Sequence, residues 1–235
     1  MPSTKDLSSI LARHAAGFHA VVPFDPGRDG LYPFDFTGAN TGLSAEEVAD
    51  TERFAGYINR TLHQHNVRYG IGGYGEHRTL YARSSHFSAA EGEEPRRFHL
   101  GTDIWGPAGT PVMAPLDGIL HSFAFNNNDS DYGATMILTH RLDGIGFHTL
   151  YGHLSLNSLK NLEEGRRVSR GEVIAEFGMR FENGNWPPHL HFQVIVDMQG
   201  WKGDYPGVCR YSERDAWLDN CPDPDGILRM GRYAN

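Results

Sequence analysis

Five polar residues constrain this chain most: His99 and Asp103, then His153, then His189 and His191. If they serve one site, three segments far apart in sequence must converge on it. The H-x-H element sets a local geometry. In a strand, alternate side chains share a face. His189, His191 and Gln193 would then project together, while Leu190, Phe192 and Val194 enter a core. Two imidazoles about 7 Å apart on one strand face suit a single site, although two ordinary surface histidines would fit the same pattern. His99-Leu-Gly-Thr-Asp103 offers a nitrogen and an oxygen donor, with Gly101 and Gly106 allowing the backbone to bend so that both side chains converge. Alone it is compatible with a turn whose aspartate bonds its own backbone. Thr149, Tyr151 and His153 alternate onto one face and place His153 at a strand end, with a capping or core histidine as the alternative.

The surrounding pattern is mainly β. The 235 residues include 28 glycines, and short apolar runs recur between turn residues. The strands expected are Thr79–Arg83, Gly118–Phe125, Ala134–Thr139, Phe147–Tyr151, Val173–Phe177 and Leu190–Val196. Pro107–Pro115 reads as extended, and Val168–Ile174 as a tight hairpin turning at Gly171. Such spacing argues for an antiparallel sheet, sandwich or open barrel with a groove holding the site. Residues 1–43 read as an ordered, irregular arm. One helix is expected from Ser44 to about His65, opened by a Ser44/Glu47 capping box with Leu43 and Val48 as its staple, and ended by glycines at 70, 72, 73 and 75. We therefore divide the chain into an arm and helix, 1–75, and a site-bearing domain, 76–235, with its motif core at 97–196.

A net charge of −8 disfavours nucleic acid as the main partner. No run approaches the roughly 20 apolar residues of a membrane span. Residues 1–20 lack the apolar core of a secretory signal, so a cytoplasmic chain is expected, or a periplasmic one if a signal has been removed. Cys209 and Cys221 are expected as free thiols, with one disulfide as the alternative.

Taken in order, H-x3-D, Tyr-Gly-His-Leu at 151–154 and H-x-H, with Gly-Thr-Pro-Val at 109–112, Ala114-Pro115 and Asp117-Gly118 between them, resemble the lysostaphin-type (LytM-like) zinc metallopeptidases. The resemblance implies that His99, Asp103 and His191 bind Zn²⁺. It also implies that His153 and His189 are catalytic histidines beside a metal-activated water. One would move the water's proton to the leaving amine and the other would stabilise the oxyanion; the sequence leaves open which does which. Tyr151 is read as a core tyrosine, with the groove wall as the alternative. The implied reaction is endopeptidase-type hydrolysis of peptide or amide bonds, with peptide substrates that include cell-wall peptides. Gln193 stands where the family usually has glutamate, and Trp186-Pro187-Pro188 leads into the H-x-H.

Shorter segments, Ile71–Tyr74, Arg78–Tyr81, Gly203–Val208 and Cys221–Pro224, are similar to the peptidase-like module fused to class III aminotransferases in bacteria. Two other functions are weighed. A regulatory LytM-like module acting on a partner enzyme would be expected to lack zinc ligands, and this chain has them. A carrier domain would need a lysine at the Val168–Ile174 turn, which is absent. An inhibitory arm would need an oxygen donor over the metal, for which Asp25, Asp29, Asp35 and Asn40 are candidates.

Overall fold

Seven consecutive buried residues, His189–Ile195, form the strand around which the molecule is layered. Leu190, Phe192 and Val194 enter the main apolar core, and the histidines occupy the opposite face. The structure is a computed structural model that describes residues 4–90 and 92–234. In chain order the strands are β1 (Leu31–Pro33), β2 (Tyr69–Gly72), β3 (Arg96–His99), β4 (Thr102–Trp105), β5 (Pro111–Met113), β6 (Gly118–Asn126), β7 (Gly133–Leu142), β8 (Ile145–Leu154), β9 (Arg167–Val168), β10 (Val173–Glu176), β11 (His189–Ile195) and β12 (Val208–Arg210).

Eight of them form one sheet in the order β1-β2-β4-β11-β8-β7-β6-β9, and two small sheets pair β10 with β5 and β12 with β3. The mainly β expectation holds. The large sheet is mixed, because β1 and β2 run parallel while its other pairs are antiparallel. It ends at β1 and β9 and does not close into a barrel.

Local chemistry explains the longest pairing. The β7–β8 hairpin turns on Asp143-Gly144, with φ of 47° and 82°, between the paired residues Leu142 and Ile145. Asp-Gly is a preferred two-residue hairpin turn because both positions need positive φ.

Several expectations are corrected. Thr4–His14 is a helix, α1, that buries Leu7, Ile10 and Leu11 at i, i+3 and i+4 in the main core. The 44–65 helix is two: α2 (Ala45–Ala49), with the Ser44/Glu47 capping box, and α3 (Thr51–Gln64). Asp50 divides them because its carboxylate accepts from the Glu52 and Arg53 amides, making it an N-cap in extended conformation. Glycines 70 and 72 do not simply end the helix. They lie in β2, where a Cβ would stand 2.1 Å from the Phe34 ring or 2.5 Å from its carbonyl oxygen. Leu80–Arg83 is a 3₁₀ turn rather than a strand, and the Ser84 amide closes it by donating to the Tyr81 carbonyl. Residues 168–174 turn at Gly171 but form no hairpin: β9 pairs with β6 and β10 with β5. From the N-terminal part, β1 and β2 extend the main sheet, and Leu7, Leu11, Val21 and Val22 share its core. Cys209 and Cys221 are buried and unbridged. Among the described residues no helix is long and apolar enough to cross a membrane.

One core histidine ties stability to pH. His140 donates from Nδ1 to the Asp117 carbonyl at 2.9 Å, and its Nε2 lies 2.7 Å from the Thr149 hydroxyl. Burial pushes its pKa from 6.5 down to about 4. The folded chain therefore keeps His140 neutral where the unfolded chain would protonate it. Its contribution is complete above pH 6.5 and is lost as pH falls toward 4, on the order of 3 kcal/mol in total. Denaturant titrations from pH 7 to pH 4 should show a smaller loss of stability in His140→Gln than in the native chain.

Candidate active site

Strand register builds the site. On one side β11 pairs with β4, setting His191 opposite Asp103 and His189 opposite Trp105; on the other it pairs with β8, setting His191 opposite Gly152. His99 ends β3 and reaches the same point across Leu100-Gly101. His191 Nδ1 lies 3.0 Å from His99 Nε2 and 3.1 Å from Asp103 Oδ1, and His99 Nε2 is 3.4 Å from that oxygen. All three residues are buried, and their donor atoms lie within 4.8 Å of one another.

The hydrogen bonds around these rings decide where the protons sit. His99 Nδ1 faces the Gly73 carbonyl at 3.0 Å, so it is the donor and Nε2 carries the lone pair. Gln193 gives its amide hydrogens to the Pro206 carbonyl and Cys221 Sγ, which turns its Oε1 to His191 Nε2 at 2.9 Å. His191 is thus protonated on Nε2 and bare on Nδ1. Two nitrogen lone pairs and a carboxylate oxygen then converge with no hydrogen between them. Such a buried arrangement is repulsive until a cation fills it, and two imidazoles with one carboxylate are a donor set suited to zinc. Burial, and after it the Arg78 charge, push His99 down to about 4. Burial opposes charge on Asp103, but facing His99 and Arg78 hold its carboxyl well below the usual range.

The second pair of histidines repeats the pattern beside the first. His153 Nδ1 donates to the Asn183 carbonyl at 2.8 Å, and His189 Nδ1 donates to the Pro187 carbonyl at 2.8 Å. Each therefore keeps Nε2 as an acceptor. The two rings lie 4.1 Å apart between centroids, and the Trp105 indole stacks on His189 at 3.9 Å and 15°. Burial lowers His189 to about 4; burial and then His189 lower His153 well below its usual value. Both are neutral bases at pH 7. His153 reaches this place through a left-handed backbone, φ 62°. That conformation is uncommon for a residue with a side chain and is often found at functional sites.

The five residues singled out in the sequence all line one groove. Tyr151 does not: it is fully buried in the main core, 5.3 Å from the Phe192 ring. The twist at His153 breaks the alternation that would have set both on one face. Asp25, Asp29, Asp35 and Asn40 bond within the N-terminal segment, and none lines the groove. Sequence reasoning missed Tyr132, whose hydroxyl is 3.3 Å from His191 Nε2, and Arg78, which grips Asp103. Tyr132 follows a polar run, Asn-Asn-Asn-Asp-Ser-Asp at 126–131, which marks a loop but not its contact with His191. Arg78 was marked only as part of the Arg78–Tyr81 segment, and its grip on Asp103 depends on contacts between distant segments.

Residues 97–203 match the model of peptidase family M23. The chain is 36% identical over 103 residues, 44% of its length, to the DD-carboxypeptidase/endopeptidase Mpg of Neisseria meningitidis serogroup B. It is 30% identical over 140 residues, 55% of its length, to the L-Ala--D-Glu endopeptidase of Bacillus subtilis. The matched stretches span only 21% and 41% of those relatives. Among solved structures, the catalytic domain of the antimicrobial peptidase lysostaphin from Staphylococcus simulans aligns with 69% of this chain and 96% of its own, at 23% identity and a TM-score of 0.40.

Gly101 offers a test of the donor geometry. A Cβ there would lie 2.5 Å from both Cε1 and Nε2 of His191 and 2.9 Å from the Phe192 carbonyl oxygen. Gly101→Ala should displace the imidazole and weaken metal binding by roughly tenfold or more, measured by competition with a chelator. Unchanged affinity would remove His191 from the donor set.

Proposed function

We propose that this chain is a zinc metallopeptidase of the M23 type that hydrolyses peptide or amide bonds, with cell-wall peptides as the first substrate class to examine. The observation that carries this reading is the set of hydrogen-bond partners around the imidazoles. Four buried imidazoles each have one ring nitrogen bonded to a protein acceptor, and all four rings line one groove with Asp103. His99 Nε2, an Asp103 oxygen and His191 Nδ1 would hold the zinc, which would supply a Lewis acid at the scissile carbonyl.

The remaining steps belong to the protein. His153 and His189 stand together with bare Nε2 atoms. One accepts the proton of the attacking water and returns it to the leaving amine. The other, once protonated, donates to the oxyanion. Their buried Nδ1 bonds hold both rings in register, and the Trp105 stack fixes the plane of His189. The match over 97–203 and the endopeptidase names of the relatives support the same reaction class.

A non-catalytic regulatory role would leave the His153/His189 pair without a task. The segments similar to the aminotransferase-fused modules supply Gly73, Arg78, Tyr81, Gly207 and Cys221 around the site.

The test is a hydrolysis screen of the zinc-loaded chain on peptidoglycan fragments and short peptides. His153→Ala and His189→Ala should each keep the metal and lower kcat by roughly 10²- to 10⁴-fold. If the loaded native chain cleaves none of these amides, the reading fails. If either variant loses zinc, the division between ligands and bases is wrong.

A further inference from the structure

Arg78 lies outside the segment that matches the family model, yet it is buried against the candidate metal site. All three of its guanidinium nitrogens donate. Nη1 donates to Asp103 Oδ2 at 2.5 Å and to the Tyr81 hydroxyl at 3.1 Å; Nε donates to Glu76 Oε2 at 2.6 Å; Nη2 reaches the Gly72 carbonyl at 3.4 Å. Glu76 is held in turn, since its Oε1 accepts from the Phe36 amide at 2.9 Å. The Phe36 and Tyr81 rings flank the cation, 5.4 and 5.8 Å from its central carbon. Gly73, with φ 103°, leaves the necessary room, since a Cβ there would fall 1.7 Å from Nη2.

A buried guanidinium is costly unless its donors are satisfied, and here the partners are chosen so that one donor falls on a single oxygen of Asp103. The other oxygen, Oδ1, is the one that faces His99 Nε2 and His191 Nδ1. A carboxylate free on both sides can give a metal two oxygens. One clamped at Oδ2 can give only Oδ1 unless it breaks a charge-assisted bond.

We propose that Arg78 is a positioning residue that restricts Asp103 to one-oxygen ligation and so keeps a coordination position open for the substrate. This rests on the metal-site reading above. Three single-atom donors leave zinc one open place in a tetrahedral site, whereas a two-oxygen Asp103 would fill it. Through Glu76 and the Phe36 amide, the N-terminal third of the chain thereby helps set the coordination number of a site whose ligands all lie beyond it.

The first test uses the native chain loaded with zinc and crystallised. Oδ1 of Asp103 should be on the metal and Oδ2 on Arg78 Nη1. Both oxygens on the metal, or Arg78 turned away from Oδ2, overturns the proposal. The second uses cobalt(II), whose visible absorption is strong when four-coordinate and weakens as coordination number rises. Arg78→Met, loaded with one cobalt per chain, should lose band intensity relative to the native protein, a change that a purely structural role would not produce. An unchanged spectrum in the folded variant overturns the proposal, and if the variant does not fold the native crystal structure still decides. Failure of the native chain to bind cobalt or zinc at all would instead remove the metal-site reading itself.

Discussion

The pairing of β4 with β11 is the constraint on which the rest depends. It sets Asp103 opposite His191 and Trp105 opposite His189, so one stretch of ladder delivers two candidate metal donors and a stacked candidate base. Period-2 alternation does the remainder. Leu190, Phe192 and Val194 anchor β11 in the core, and that anchoring prevents the register slip that would turn both histidines to the other face. Removal of β11 from solvent on both faces strips water from the His189 ring, and burial is likewise the leading cause of the low pKa of His99 on β3 and His153 on β8.

Burial of this kind would be destabilising if the polar groups had no partners. The structure answers it by pairing every site imidazole with a fixed acceptor: the carbonyls of Gly73, Asn183 and Pro187 and the amide oxygen of Gln193. Gln193 does this as a neutral residue, oriented because both of its donors are used elsewhere. The glycines close to the rings serve the same end, since Gly101 and Gly73 admit His191 and Arg78 where any side chain would collide.

Much of this was legible in the sequence, for physical reasons that differ by residue. The faces of β11 follow from alternation alone. The convergence of His99, Asp103, His153 and the H-x-H pair came from the order of motifs rather than from any one of them, since each has an ordinary alternative. Alternation failed at Tyr151 and His153, because a positive φ at His153 re-aims its side chain, and no simple periodicity encodes that. Helix α1 was missed because its apolar stripe is only Leu7, Ile10 and Leu11. Arg78 and Trp105 acquire their roles from partners 25 and 84 positions away, Asp103 and His189, so no local pattern marks them.

The central claim is that His99, Asp103 and His191 form a cation site shaped by the proton positions around it. Elemental analysis of the purified, folded chain after incubation with zinc and removal of unbound metal tests it most directly. The account predicts about one zinc per chain in the native protein and none retained by His191→Ala. A folded native chain that retains no stoichiometric zinc, or a His191→Ala variant that retains it fully, would contradict the account.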